Sequence, residues 1–342
     1  MNKDKKQIII LFSLLIVLCS LFFANCAGMA VSAEEYFNIG MAYYDMGKFD
    51  DAEKWLNRAR QADRTYSASQ YNLGRIAFGK QLFENAVKQF EGILKRDPDN
   101  VLALRAAAYT RIKMGDIEKA QKHYAHLLKL VPESSDDGYN HALVLFAMEK
   151  YGEAEDILKK YPFALEENKD VQLLFARSQG RQNKVEAIES FSNWLKENSD
   201  AKARYEYGLV LEHHEFYARA LEELRKAHTD IADNAVDPQK FDIRFALARV
   251  LLIAESDSNA GIGEMQGAVS DGFKNHAAIE ALLNHAKISA GNKTALRSIA
   301  DNLRREEAAA KEAERRKREE EQRQKEEQEE ESSETDSEAY SD

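Results

Sequence analysis

The chain has 342 residues, of which 44% are hydrophobic and 31% charged, and its formal net charge at pH 7 is −11. From Arg304 onward there are 16 Asp and Glu against 9 Lys and Arg, so the chain before it is near neutral, which argues against nucleic acid as a ligand because phosphate binding needs a cationic surface. Both cysteines, Cys19 and Cys26, lie near the N-terminus, which excludes disulfides, thiol nucleophiles and thiolate metal sites from the later chain.

The N-terminal segment 1–25 has the composition of an export signal. A basic stretch, Met1–Lys6, precedes an apolar run, Ile8–Ala24. The run is shorter than the about 20 apolar residues of a transmembrane helix and longer than the core of about 7–15 residues that a cleaved signal contains. Its length alone therefore does not decide whether it is cleaved.

The residues around Cys26 resemble a bacterial lipoprotein signal, in which a cysteine follows small residues directly after the apolar core. Phe23 and Asn25 replace the usual residues, a relaxed form similar to that of spirochaete lipoproteins. We predict lipid attachment at Cys26, with 26–32 as a tether to a membrane of the bacterial envelope and the later chain in the periplasm. Two alternatives stay open, an uncleaved single-span anchor in the inner membrane and ordinary cleavage after Ala33.

From Ala33 onward, small residues recur every 34 positions. One series is Gly40, Gly74, Ala108 and Ala142, and a second, twelve residues later, is Ala52, Ala86, Ala120 and Ala154. Two helices that cross closely need small residues at the crossing, so this spacing predicts a helix-turn-helix hairpin repeated along the chain. The predicted fold class is therefore all-α.

Further positions of these units resemble the tetratricopeptide repeat family. Pro98 and Pro132 stand at that family's closing position, where proline ends a helix. Other residues that carry the resemblance are Tyr43, Gly47 and Phe49 in the first unit, Leu73 and Phe90 in the second, and Gly115 and Tyr124 in the third. The resemblance covers 33–272 and implies a right-handed α-solenoid of six to seven helical hairpins, the last a degenerate unit that begins near Gln239.

The chain after the repeats changes character twice. Over 273–303 we predict two amphipathic helices, separated at Gly291 and Asn292, of which the first caps the end of the array. Over 304–331 opposite charges four residues apart favour a long, charged single helix, and the lack of an apolar heptad disfavours the alternative of a coiled coil. The acidic, serine-rich tail 332–342 is predicted to be disordered.

In the family that the chain resembles, the second, fifth, ninth and twelfth residues of each first helix line a concave groove. In the first four units these positions are rich in aromatic residues, which with arginine are enriched where protein partners anchor. The predicted partner-binding residues are Phe37, Met41, Tyr44, Tyr71, Arg75, Phe78, Arg105, Tyr109, Tyr139 and Phe146. The fifth unit, with Lys169, Gln172, Ala176 and Gln179, is predicted to be polar. The alternative is that some of these rings face a neighbouring helix and belong to the core.

Motifs for catalysis are absent from the sequence. It contains no phosphate-binding glycine loop, no serine elbow and no metalloprotease helix. His123 and His126 lie three residues apart on one predicted helix and could share a metal, but no carboxylate completes a site. We therefore expect no catalytic residue, no metal and no cofactor.

Together these observations predict a membrane-anchored, non-enzymatic scaffold or adaptor in the bacterial envelope. Its partner would be a protein or peptide bound in the aromatic groove, within a larger envelope assembly. The alternative is a periplasmic small-ligand-binding or transport-accessory protein. A deep closed cavity among Phe37, Tyr71 and Tyr109 would favour that alternative, whereas an open groove favours a peptide or an amphipathic helix.

Overall fold

The computed structural model describes residues 31–254 and 259–338, with side chains as far as Lys325. This part of the chain contains seventeen α-helices and no strand, which confirms the predicted all-α class. Cys26 and the apolar run before it lie outside the described residues. The chain divides after Lys150 into two compact units.

The first unit consists of three helical hairpins and a seventh helix. Its helices are α1 (Ala33–Asp45), α2 (Phe49–Ala62), α3 (Ser67–Gly79), α4 (Phe83–Leu94), α5 (Val101–Lys113), α6 (Ile117–Leu130) and α7 (Ser135–Ala147). Within each hairpin α1 packs on α2, α3 on α4 and α5 on α6, and each hairpin packs on the next. This arrangement is the predicted stack of hairpins.

The second unit continues with three further hairpins and a terminal helix pair. Its helices are α8 (Tyr151–Leu158), α9 (Pro162–Glu167), α10 (Lys169–Arg181), α11 (Ala187–Glu197), α12 (Ala201–His213), α13 (Tyr217–Asp230), α14 (Lys240–Ala254), α15 (Asn259–Ser270), α16 (His276–Leu283) and α17 (Ala290–Glu338). The packed pairs are α10 with α11, α12 with α13, α14 with α15, and α16 with α17. The pair α14–α15 is the expected seventh hairpin, and α9 is a short helix between α8 and α10 that leaves the 34-residue spacing from Ser135 to Lys169 unchanged.

The small residues of the 34-residue series lie where the two helices of a hairpin cross. A Cβ atom added to Gly74 would lie 2.5 Å from Cε1 of Phe90, and one added to Gly208 would lie 2.7 Å from Cδ2 of Leu224. In both hairpins the partner side chain comes sixteen residues later. It stands on the facing helix, seven residues after that helix begins. The small residue thus makes room for the large one, and both Phe90 and Leu224 are almost fully buried.

At six places in the described chain, the turn after the first helix of a repeat contains one residue in the left-handed region of the backbone. Glycine occupies this position in two turns, with φ of 72° at Gly47 and 76° at Gly115. The equivalent residues of the other four turns are not glycine but have the same conformation, with φ between 55° and 62°, namely Gln81, Glu149, Asn183 and Glu215. A positive φ closes the turn tightly, and side chains with a Cβ adopt it at a cost that glycine avoids.

The C-terminal helices differ from the prediction. The expected break at Gly291 and Asn292 is wrong, because both residues lie in the first turn of α17, whose start is set by Ser289: its Oγ accepts a hydrogen bond of 3.2 Å from the backbone N–H of Asn292. The helix then runs without interruption past residue 331 to Glu338, through part of the segment expected to be disordered. Neither glycine nor proline occurs between Asn292 and Glu338, so nothing in the sequence ends the helix earlier.

Only the first part of α17 contributes to the core of the second unit. Leu296, Ala300 and Leu303 are buried in an apolar cluster with Ile279 and Leu282 of α16. After Leu303 almost every described side chain is exposed, up to Lys325. The helix pair α16–α17 therefore covers the apolar face of the α14–α15 hairpin, and the remainder of α17 leaves the core.

Candidate functional site

Four of the ten predicted groove residues meet around one cavity in the first unit. Tyr44 of α1, Arg75 and Phe78 of α3, and Tyr109 of α5 line a cavity of about 300 Å³, which we call the aromatic cavity. The remaining lining residues are Gly79, Phe90, Ala106 and Thr110. The four side chains stand at the ninth and twelfth positions of first helices, so the 34-residue repeat brings them together from three successive hairpins.

The contacts between these side chains run from one repeat to the next. The guanidinium carbon of Arg75 lies 4.8 Å from the ring centroid of Tyr44, in a cation–π contact. The ring centroids of Phe78 and Tyr109 are 5.6 Å apart. Tyr109 is 42% exposed and Arg75 is exposed as well, so the cavity opens to solvent on the side of these two residues.

Two further aromatic residues extend this surface toward the hairpin turns, and the sequence analysis did not place them in the groove. The ring of Phe49 lies 5.4 Å from that of Tyr44, and the ring of Phe83 lies 5.4 Å from that of Phe78. Phe49 and Phe83 are one repeat apart and each begins the second helix of its hairpin, a regularity that could have revealed them. Phe49 is 44% exposed, so the aromatic surface continues beyond the cavity.

Other predicted groove rings lie against the core. Phe37 makes an edge-to-face contact of 5.4 Å with Tyr66 and packs on a buried cluster that contains Leu56. Tyr71 lies 5.6 Å from the buried ring of Phe90. Of the three rings that would have formed a closed cavity, only Tyr109 lines the aromatic cavity, so the geometry corresponds to an open groove. Met41 is half-buried and does not line the cavity.

Arg105 is engaged within the protein. Its Nε and Nη2 atoms donate to the two carboxylate oxygens of Asp137 at 2.8 and 2.6 Å. Burial raises the pKa of Asp137, but hydrogen bonds from Arg105 and Ser134 outweigh burial and leave that pKa below its ordinary value. Arg105 therefore ties α5 to α7, and its two-point contact is not open to a partner. Tyr139 and Phe146, on α7, are half-buried and lie outside the aromatic cavity.

The second unit has a larger cavity, of about 480 Å³, which the sequence analysis missed. The cause is a register error: α10 begins at Lys169, with Asn168 as its N-cap, so the groove positions fall one residue later than expected. Ala176 and Gln179, predicted to face the groove, are buried at 0% and 5% exposure. Arg177 and Gly180 take their place and line the second cavity.

Charged and aromatic side chains surround this second cavity. Arg177 donates from Nε to Glu206 at 2.6 Å, and Lys202 pairs with Asp237. Burial raises the pKa of Glu206, with Arg177 opposing the shift. Burial also raises the pKa of Tyr205 to about 12, so its hydroxyl remains a neutral hydrogen-bond donor at pH 7. The second cavity is thus mixed in character, unlike the aromatic cavity.

His123 and His126, the two histidines considered as metal ligands, lie on α6. Nε2 of His126 lies 2.8 Å from Oδ1 of Asp99, and burial lowers the pKa of His123. Across residues 31–254 and 259–338, no group of three or more His, Cys, Asp or Glu side chains is arranged to hold a metal ion. The same residues include no helix that is both long enough and apolar enough to cross a bilayer.

Residues 37–101 match the family model of the tetratricopeptide repeat. A lipoprotein of Treponema pallidum, itself uncharacterised, is 28% identical over 142 residues, which are 42% of this chain and 72% of that protein. The RNA polymerase-associated protein CTR9 of Caenorhabditis elegans is 28% identical over 115 residues, or 32% of this chain; the match spans only 10% of that protein's length.

A crystal structure of a tetratricopeptide repeat protein from Parabacteroides merdae is similar to this chain with a TM-score of 0.50 at 21% sequence identity. The similarity covers 74% of this chain and 98% of that protein. At this identity the match concerns the fold alone. Together with the hairpins described above, it confirms an all-α fold of stacked helical hairpins, of which residues 37–101 match the tetratricopeptide repeat.

Proposed function

We propose that this tetratricopeptide-repeat chain is a scaffold, anchored to a membrane of the bacterial envelope, whose aromatic cavity binds a protein or peptide partner. Repeats of this type are generally non-enzymatic interaction modules, and no catalytic role is part of the proposal. The observation that carries the proposal is the convergence of Tyr44, Arg75, Phe78 and Tyr109 around one open cavity. The partner is one component of an envelope assembly.

The chemistry of the aromatic cavity favours a protein partner over a free small molecule. Tyrosine and arginine are enriched among the residues that contribute most binding energy at protein interfaces, because each combines a large contact area with a polar tip. The cavity of about 300 Å³ is at the small end of the range for ligand pockets, about 300–1,000 Å³, and its rim is solvent-exposed. One large apolar side chain of an amphipathic helix or extended peptide fits such a cavity, while flanking residues contact Phe49 and Phe83.

The proposed anchor is a lipid on Cys26, facing the periplasm. Its support is the lipoprotein-like sequence before the repeats and the similarity to a Treponema pallidum lipoprotein. Cleavage after Ala33 would remove the residue that caps the start of α1. Ser32 and Glu35 form a capping box there: Oγ of Ser32 accepts from the N–H of Glu35 at 3.1 Å, and the N–H of Ser32 donates to Glu35 at 2.7 Å. Losing such a cap costs about 1 kcal/mol, whereas processing at Cys26 retains it.

The partner site is tested by cross-linking the full chain to its partner in native membranes. The test variant is Arg75→Ala/Tyr109→Ala, which removes two exposed side chains of the aromatic cavity. Its matched control is Arg225→Ala/Phe163→Ala, which removes an exposed arginine and a phenylalanine that is 81% exposed, both in the second unit. We expect one cross-linked envelope protein to be lost from the test variant and retained by the control, with a loss of more than about 2 kcal/mol in binding free energy. Equal capture by both variants would refute the site.

The anchor is tested separately, by growing cells with an alkyne-bearing fatty acid and detecting its incorporation. The wild-type chain should be labelled and should sediment with membranes, and Cys26→Ser should be unlabelled. An unlabelled wild-type chain that still sediments would replace the lipid by an uncleaved single-span anchor. That result would leave the partner site untouched, because the two experiments have different readouts.

A further inference from the structure

The second cavity, in the second unit, lies apart from the aromatic cavity and has different chemistry. It is lined by side chains from α10, α11 and α12, by the segment before α14 and by Asp242 in the first turn of α14. Its volume of about 480 Å³ lies within the range of pockets that hold small ligands. The scaffold function proposed above does not use it.

The six charged side chains around this cavity are not all paired with one another. Arg177 is paired with Glu206 and Lys202 with Asp237, which leaves one cation, Arg181, and one anion, Asp242. Among the described residues Arg181 makes no hydrogen bond or ion pair. Asp242 uses one carboxylate oxygen to cap α14, accepting from the N–H of Gln239 at 2.8 Å. Its other oxygen makes no hydrogen bond within the described chain. The cavity therefore presents one cation and one anion that lack an ion-pair partner, although the charge of Arg181, which is exposed, also acts on Glu206.

The remaining lining supplies a neutral donor and an apolar wall. Tyr205 is half-buried, and its hydroxyl makes no hydrogen bond within the described chain. Phe191, Leu209 and Val210 contribute apolar surface, and Phe191 and Val210 are buried. A polar group that is partly withdrawn from water gains from a ligand that completes its hydrogen bonds. A ligand that fits this lining has an anionic end, a cationic end and an apolar body.

We propose that the second cavity binds an α-zwitterion with an apolar side chain, either a free amino acid or a short peptide with both ends unblocked. Arg181 and Tyr205 receive the carboxylate, because both are donors and a guanidinium binds a carboxylate through two parallel hydrogen bonds. Asp242 receives the ammonium group. The side chain of the ligand packs against Phe191 and Leu209.

Isothermal titration calorimetry of the full chain in detergent micelles tests this proposal. The ligands are L-leucine and L-leucyl-L-leucine, each also in its N-acetylated and its C-amidated form, and each is titrated into micelles alone as a blank. We expect saturable binding of one molecule of a free form per chain. Blocking either end should weaken binding by at least about tenfold, since a hydrogen bond to a charged group contributes about 1.5–3 kcal/mol. The free amino acid and the dipeptide distinguish the two sources of the zwitterion.

Two substitutions test the assignment of the charged residues. Arg181→Gln removes the cation, and Asp242→Asn removes the anion while keeping an oxygen that can cap α14. Each should weaken binding by at least about tenfold. Arg225→Gln, an exposed arginine on α13, is the control and should bind as the wild type does. Thermal melts verify that all three variants are folded.

Three results would overturn the proposal. These are no saturable heat for either free ligand at millimolar concentration, equal binding of free and blocked forms, and binding by Arg181→Gln and Asp242→Asn that matches the Arg225→Gln control. If a variant is unfolded, the proposal is judged only by comparing the binding of free and blocked ligands to the wild-type chain.

Discussion

The left-handed residue of the hairpin turns should control stability in opposite directions at two equivalent positions. Gly47 has φ of 72° and a Cβ added there would touch nothing within 4 Å, so replacing it changes the backbone energy without a steric clash. Gln81, one repeat later, has φ of 60° and is exposed. We predict that Gly47→Ala destabilises the fold and that Gln81→Gly stabilises it.

The magnitude follows from two opposing effects. A residue with a Cβ adopts the left-handed conformation at a cost of about 1–2 kcal/mol. Glycine avoids this cost but loses about 0.5–1 kcal/mol more conformational entropy on folding. The net effect is about 1 kcal/mol, destabilising for Gly47→Ala and stabilising for Gln81→Gly.

Urea unfolding followed by circular dichroism measures both changes as shifts of the transition midpoint. Gly263→Ala provides the control, because Gly263 lies within α15 with free space around it and no positive φ. There the same Gly→Ala change should stabilise by about 0.5–1 kcal/mol. If Gly47→Ala and Gly263→Ala shift the midpoint in the same direction, the turn conformation does not govern stability and the reasoning fails.

Three further outcomes are expected. Burial raises the pKa of Glu155, but hydrogen bonds from two lysines and a glutamine outweigh burial and lower the pKa to about 2. This value is below the unfolded value of 4.5, so the carboxylate stabilises the fold by about 3 kcal/mol above pH 4.5. The contribution is lost as the pH falls toward 2. Thermal melts of Glu155→Gln should show a smaller decline on the acid side than those of the wild type, because the contribution of this one carboxylate is removed. Gly74→Ala should destabilise the fold by about 1–3 kcal/mol in urea titrations, since the new methyl group would displace the ring of Phe90. An unchanged unfolding midpoint would show that the helix crossing has room for a methyl group. Deleting the chain from Ala308 should reduce helix content but leave the melting temperature unchanged, because Leu303 is the last buried residue among the α17 side chains described, which extend to Lys325. A large drop in melting temperature would contradict that boundary.

The hairpins were predictable because their cause is local and repeated. The crossing residue, such as Gly74, recurs every 34 positions, and its partner in the facing helix follows at a constant offset. The proximity of Tyr44, Arg75, Phe78 and Tyr109 follows from the same period, because residues one repeat apart lie side by side in a stack of hairpins. The regular 34-residue spacing therefore predicted both the stack of hairpins and the four residues at the centre of the aromatic cavity.

The errors arose where a helix start was misplaced or where a partner is distant in sequence. The predicted groove positions of α10 were counted from Asn168, but the helix begins at Lys169, one 34-residue period after Ser135, and this one-residue error hid Arg177 and with it the second cavity. Asp137 stands at a helix start, where a carboxylate is usually explained by capping, yet its partner Arg105 lies 32 residues earlier. Gly291 and Asn292 have the composition of a helix break, but the cap at Ser289 places them inside α17.

The length of α17 also fixes how far its end can be from the folded core. Residues 304–338 follow the last buried side chain and, at 1.5 Å per residue, form a rod of about 50 Å. A flexible linker with the same number of residues would have an end-to-end distance of about 30–35 Å on average and would often bring its ends together. A molecule bound at the end of the rod would instead be held about 50 Å from the helix pair α16–α17. Its effective concentration at that pair would be almost zero, because a rigid helix cannot fold back.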